Sequence, residues 1–264
     1  MLSITTIELD ALLATFLWPF SRILALITSA PIFSSPSIPI RVKLGFATVI
    51  TILIAPTLKS LPAIDPGSGI GLLIIIQQVI IGLAIGLTMR IIFMAVEMAG
   101  EVIGLQMGLG FATFFDPQNT SQTPLISRFL GIIASLAFIA MNGHLQIITF
   151  ISKSFDTLPI GSTGITTPMF VTLTKWGGEI FLTGLQLSLP VLTALLITNL
   201  ALGILTRVAP QLNIFAVGFP LTLSIGFLVL ALSIPFFTPI LERSIQDGLN
   251  IVTEMTNSSH INAP

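Results

Sequence analysis

Gly104-Leu105-Gln106-Met107-Gly108-Leu109-Gly110-Phe111-Ala112-Thr113-Phe114-Phe115-Asp116-Pro117 follows a long apolar run and is itself rich in Gly, Phe and Met. It carries a polar edge and closes on Asp116-Pro117, a turn signal. The stretch is apolar enough to be buried, yet its glycines make it a poor helix. It reads as a shaped, movable piece of protein rather than another regular segment.

Its surroundings are those of a membrane protein. Of 264 residues, 53% are hydrophobic and only 8% charged, and the mean hydropathy is +1.03. A soluble domain carries about 25% charged residues. Ten basic and 11 acidic side chains cannot cover a water-facing surface. The net charge of −1 leaves no basic surface for nucleic acid. The absence of Cys excludes disulfides, thiolate metal sites and a Cys nucleophile. His144 and His260 lie far apart in sequence without ligand spacing, so no metal and no cofactor is expected. No nucleophile–base motif and no phosphate loop occurs, which argues against an enzyme. Residues 1–10 contain Glu8 and Asp10 but no Lys or Arg, unlike a secretory signal, so the first apolar stretch is expected to stay in the mature chain.

Apolar segments lie at about 11–30, 44–61, 70–96, 125–151, 180–206 and 212–241. A membrane-spanning helix needs about 20 apolar residues. The expected fold is therefore an all-α membrane protein of about six hydrophobic helical segments, forming a single integral membrane domain over 1–264. Pro56 in the second segment, and Pro190, Pro220, Pro235 and Pro239 in the last two, predict kinked helices or hairpins. Pro31, Pro36 and Pro39 rule out a continuous helix between the first two segments. Residues 62–69 and 152–179 read as loops, and 256–264 as a disordered tail. Lys and Arg divide almost evenly between the two sides, so the positive-inside rule selects no orientation.

On a continuous helix, Arg90, Met94, Glu97, Glu101, Gly104 and Gly108 fall on one side. Gly100 and Gly104 form, with Gly108, a small-residue ridge suited to close helix packing. Gly82 and Gly86 offer a similar ridge further back. An ionised carboxylate facing lipid costs about 2.5–3.5 kcal/mol on insertion scales. Glu97 and Glu101 are also like charges at i, i+4. Their face should meet protein or water, with a polar partner from another segment or another subunit; a proton relay is the alternative. Arg41 and Lys43 open the second apolar run and Arg207 punctuates the last two, positions that also suit solvated turns.

Several motifs then act together: Arg22 with Leu24-Ala25-Leu26; Pro31-Ile32 with Ile38-Pro39 and Arg41-Val42-Lys43; Gly104 through Pro117; Asn142-Gly143-His144; Leu158-Pro159-Ile160-Gly161; and Ala209-Pro210-Gln211-Leu212-Asn213 with Gly218-Phe219-Pro220-Leu221. Over roughly residues 10–250 the chain resembles the FliR/SctT family of type III secretion export-gate subunits. The resemblance implies a FliP-like part over about 1–205 followed by a FliQ-like part over about 206–255. It implies a subunit of the flagellar export gate, closing a helical ring with several copies of FliP and FliQ homologues, with FlhB and FlhA homologues as further partners. Unfolded substrates would pass through that ring. The location implied is the bacterial inner membrane at the flagellar basal body, with part standing above the membrane plane on the periplasmic side. His144 becomes a turn residue of the family, and Arg41, Lys43, Arg90, Glu97, Glu101 and Arg207 become inter-helix or inter-subunit contacts.

The resemblance also implies a pore plug in the loop matching about 106–122, with Gln106, Met107, Gly108, Leu109, Gly110, Phe111, Phe114, Phe115 and Asp116 as its residues. The residue types suit that task. Gly permits bending, while Met and Phe supply bulky, deformable apolar contacts. An apolar constriction blocks ions by dewetting. The same Phe and Met residues would equally serve a packed core. Two other functions stay open: a stand-alone secondary transporter of a small solute, whose helices are often Gly- and Pro-interrupted, and a membrane scaffold without a conduit. No matched pair of interrupted segments in two halves supports the transporter.

Overall fold

The structure, a computed structural model, describes residues 6–58, 62, 64–110, 124–161, 167–211 and 213–257, with side chains from 13 to 255 apart from 214 and 215. Every regular element among them is a helix. These are α1 (Thr6–Ser29), α2 (Ile40–Ile54, continued by a 3-10 turn at Ala55–Thr57), α3 (Gly69–Gln106), α4 (Leu125–Ala140), α5 (Gly143–Thr157), α6 (Thr167–Trp176), α7 (Glu179–Val208) and α8 (Ile214–Asn257). The all-α membrane fold expected from the sequence is the one observed.

The apolar segments map onto these helices with four differences. By length and composition, four stretches among the described residues can cross a membrane: Ile40–Thr57, Gly69–Gln106, Thr167–Val208 and Ala216–Met255. The segment at 125–151 is two helices, α4 and α5, bent by 65°, and counting that pair as one span gives up to five among the described residues, beside the shorter apolar helix Leu13–Ser29. The break falls at Asn142, which adopts the left-handed conformation (φ 57, ψ 25) and accepts hydrogen bonds from the Leu145 and Gln146 amides. Asn visits that region at little cost. The prolines, by contrast, do not divide the last two segments. Pro190 stands inside α7, and Pro220, Pro235 and Pro239 inside α8. Each removes one backbone donor, a loss that membrane helices tolerate where neighbouring helices and Ser or Thr side chains satisfy the freed groups. The stretch 152–179, expected as a loop, holds the end of α5 and all of α6, whose Pro168 sits in the first turn where no donor is needed. Finally, α8 reaches Asn257, so the expected disordered tail begins inside a helix; 258–264 lie outside the described residues.

Between α1 and α2 the prolines give turns, as read. Ile32 stands at φ 67 with the Phe33 amide donating to the Pro31 carbonyl at 2.8 Å, a γ-turn that a β-branched residue adopts only under strain.

The chain forms two compact units, each assembled from separated stretches. The first comprises Met1–Ile91, Asn142–Gly177 and Gln246–Pro264. Its core is built from Trp18, Ile23 and Ile27 of α1, Ile81, Ile85 and Met89 of α3, and Ile147 and Ile151 of α5, all buried. The close approach of α1 and α3 is made at Gly82, against the Arg22 carbonyl, and at Gly86, against Ser29. Trp176 of α6 donates its indole N–H to the Thr88 carbonyl at 2.9 Å. The second unit comprises Ile92–Met141 and Gly178–Ile245. In it the end of α3 packs with α4, α7 and α8 over Ile103, Ile126, Leu130, Val191, Leu195 and Leu230, and Phe93 meets Phe138 edge-on at 5.5 Å. On its outside, α7 presents Phe181, Leu196 and Leu200 and α8 presents Leu228, Leu232 and Phe236, an apolar surface made for lipid or for another chain.

Candidate functional site

The site of interest is the place where α3 ends and the glycine-rich stretch begins, within the second unit. The helix stops by a Schellman motif. Gly108, at φ 87, is the left-handed residue; its amide donates to the Leu105 carbonyl at 3.0 Å and the Leu109 amide to the Gly104 carbonyl at 3.0 Å. The sequence reads Gly108 as a residue that lets the chain bend, and it stands where the chain turns out of α3. Replacing Gly108 with alanine should therefore cost about 1–2 kcal/mol by forcing a Cβ into the left-handed region. A fall in the melting temperature of the purified protein checks this, and no fall would mean that the helix ends differently.

Met107, one residue earlier, is fully buried. Its side chain lies against α8 at Gly226: a Cβ built there would sit 2.6 Å from Met107 Cγ and 2.9 Å from Cε and Sδ. Thr222, one turn before, donates its hydroxyl to the Phe219 carbonyl at 3.0 Å and lies 3.5 Å from the Met107 carbonyl. Of the residues assigned to the plug, Gln106, Gly108, Leu109 and Gly110 are half-buried around this anchor. Phe111, Phe114, Phe115 and Asp116 lie outside the described residues.

The packing glycines are placed unequally. Gly100 faces the backbone of α4, where a Cβ would fall on Ser127 Cα and 2.6 Å from its nitrogen. Gly104 is roomier, with Ile126 Cγ1 at 3.8 Å from the corresponding position. Beside them the Ser127 hydroxyl donates to the Glu97 carbonyl at 2.7 Å. Arg90, Met94, Glu97 and Glu101 share an exposed face, as the helical spacing requires. The structure does not bring the charged residues together. None of Arg41, Lys43, Arg90, Glu97, Glu101 and Arg207 forms an ion pair with another described residue, and all but the half-buried Lys43 are exposed.

One group that the sequence reading left as a motif letter stands at the centre of the first unit. Arg22 is fully buried in α1. Its Nε donates to Gln78 Oε1 of α3 at 2.8 Å. One terminal nitrogen donates to the Ser154 carbonyl at 2.8 Å and its hydroxyl at 3.0 Å, and the other to the Leu158 carbonyl at 2.8 Å. The guanidinium also lies 4.2 Å from the Phe155 ring centre. Arg22 thus caps the C-terminal end of α5, where the helix dipole favours a cation. The available signal was an arginine inside an apolar segment, where a charge is retained only with a partner or a task.

Comparison with known proteins covers nearly the whole chain. The family described as Bacterial export proteins, family 1, matches residues 13–248. The chain is 46% identical over 257 residues to the flagellar biosynthetic protein FliR of Escherichia coli (strain K12), covering 97% of each chain. It is 45% identical over 255 residues to the FliR of Pectobacterium carotovorum subsp. carotovorum, again covering 97% of each. With the FliR of Buchnera aphidicola subsp. Acyrthosiphon pisum (strain APS) identity is 38% over 247 residues, or 94% of this chain and 95% of the other. The motifs that suggested a FliR-type chain lie inside these alignments, and the protein belongs to the bacterial export proteins, family 1, the family that contains FliR.

Proposed function

We propose that this chain is a subunit of the flagellar type III export gate in the bacterial inner membrane. It completes a helical ring with several copies of FliP and FliQ homologues, through which unfolded substrates cross, and that ring docks FlhB and FlhA homologues. The observation that carries the reading is the family match over residues 13–248. The geometry supports it. At 1.5 Å per residue, α3 and α8 are about 57 and 66 Å long, against a hydrocarbon core of about 30 Å. Helices so much longer than the bilayer core suit a complex standing partly on the periplasmic side. Glu97 and Glu101, exposed and without an ion-pair partner among the described residues, and the apolar outer faces of α7 and α8 suit burial against companion subunits.

In this reading residues 106–122 plug the pore. Gln106 to Gly110 form the root, and Phe111, Phe114 and Phe115 supply the apolar constriction. The test is purification of the tagged full chain, expressed with and without its FliP and FliQ companions, followed by native mass determination. A discrete hetero-oligomer with one copy of this chain is the expected result. A stable monodisperse protein that ignores both companions would remove the gate reading and turn attention to solute uptake. Within the assembled complex, deleting 111–116 should raise passive leak of small solutes several-fold; unchanged leak would remove the plug assignment.

A further inference from the structure

We propose that Gly226 and Thr222 of α8 are positioning residues for the plug: they form the seat that fixes Met107 and thereby sets the direction in which the chain leaves α3. The inference rests on the plug reading above and goes beyond it by naming what holds the plug's root. Thr222, Gly226, Leu230, Ser233 and Phe237 are spaced by three or four residues and lie on the inward side of α8. On that side Gly226 is a notch, and the Met107 side chain occupies the space a Cβ would need. The seat is specific to a flexible, unbranched side chain, since three consecutive Met107 atoms follow the notch.

Met107 is more than one packed residue among others because of where it stands. It is the last residue before the left-handed Gly108, and the two hydrogen bonds that close α3 span it. A displacement of Met107 therefore shifts Gly108 and Leu109 with it. A core methionine further back in α3 would be absorbed by the helix; at this position the shift passes to the chain beyond the cap.

The experiment uses the full complex with its companions. Gly226→Leu improves helix propensity in α8 while denying Met107 its seat, so the complex should assemble with unchanged native mass and leak several-fold above the parent. Adding Met107→Ala to Gly226→Leu trades the two volumes back and should return the leak close to the parent value. A structural role for Gly226 unrelated to Met107 would not show this rescue, and a leak that persists in the double variant overturns the proposal. So does a Gly226→Leu complex that assembles and stays sealed. If deleting 111–116 also fails to cause leak, the plug reading has failed; if that deletion leaks and Gly226→Leu does not, only the seat has failed. Should Gly226→Leu not assemble, a cysteine pair answers instead. The chain contains no Cys. Met107 Cβ is within about 4 Å of the Cβ position at 226, inside the range a disulfide bridges. Met107→Cys with Gly226→Cys should cross-link under mild oxidation in the assembled complex, and failure to cross-link there overturns the seat.

Discussion

An Arg22→Ala chain is expected to lose about 3 kcal/mol or more of stability, which is a large share of the 5–15 kcal/mol typical of a folded protein. The reason lies in what the substitution leaves behind. The guanidinium satisfies Gln78 Oε1, the Ser154 and Leu158 carbonyls and the Ser154 hydroxyl, all in the interior of the first unit. Removing it strands Gln78 Oε1 and the Leu158 carbonyl away from water, and each orphan costs about 1–3 kcal/mol; the Ser154 carbonyl keeps the Leu158 amide and the Ser154 hydroxyl keeps the Ile151 carbonyl. Gln78 is placed worst, because its Nε2 already has no partner among the described residues. No apolar replacement of similar length mends this, since the acceptors remain. Lysine keeps the charge at the end of α5 but cannot reach Gln78 and both carbonyls at once. The expected order of melting temperature and yield for the purified protein is Arg22 parent, then Arg22→Lys, then Arg22→Met and Arg22→Ala. An alanine variant that melts with the parent would show that the network contributes nothing.

The same residue shows where sequence reading stops. That the chain is a membrane protein followed from its composition, and the family from motifs spread over its length. Helix ends were harder. Asn142-Gly143 is a turn dipeptide, but it lies between two apolar runs, and a hydropathy count passes over two residues. The prolines of α7 and α8 suggested kinks or hairpin breaks, and both helices run through them, since proline is costly in water-exposed helices and tolerated where neighbouring helices cover the backbone. The site was legible in part. The shared face of Arg90, Met94, Glu97 and Glu101 follows from spacing alone, and so does the ridge at Gly100 and Gly104. What spacing could not supply is the other wall. Nothing in residues 104–110 says that Met107 meets Gly226, more than a hundred positions away, or that Arg22 gathers Gln78 and the end of α5. Such pairings are fixed by tertiary packing, and they decide which member of a pattern matters.

The two ridge glycines make that distinction measurable. Gly100→Ala is expected to destabilise the protein by roughly 1–3 kcal/mol, and Gly104→Ala to leave it unchanged or up to about 1 kcal/mol more stable. At Gly100 the new methyl would meet Ser127 Cα and nitrogen and come within 3.0 Å of the Ile126 carbonyl carbon, and backbone cannot rotate aside as a side chain can. Helix α4 must move off α3, and the Ser127–Glu97 hydrogen bond at 2.7 Å must stretch with it. At Gly104 the nearest atom is 3.8 Å away, an ordinary contact, so the gain in helix propensity dominates. Gly45 of α2, with nothing within 4 Å of its Cβ position, is the control for that gain alone. Melting temperatures of the three alanine variants in the assembled complex should therefore fall for Gly100 and hold or rise for Gly104 and Gly45. Equal effects at 100 and 104 would mean that α3 and α4 do not meet as described. On the proposal that residues 106–122 plug a pore, and because that stretch joins α3 to α4, a Gly100→Ala complex that still assembles is also expected to leak. The Gly104→Ala complex, with both helices left in place, is expected to stay sealed.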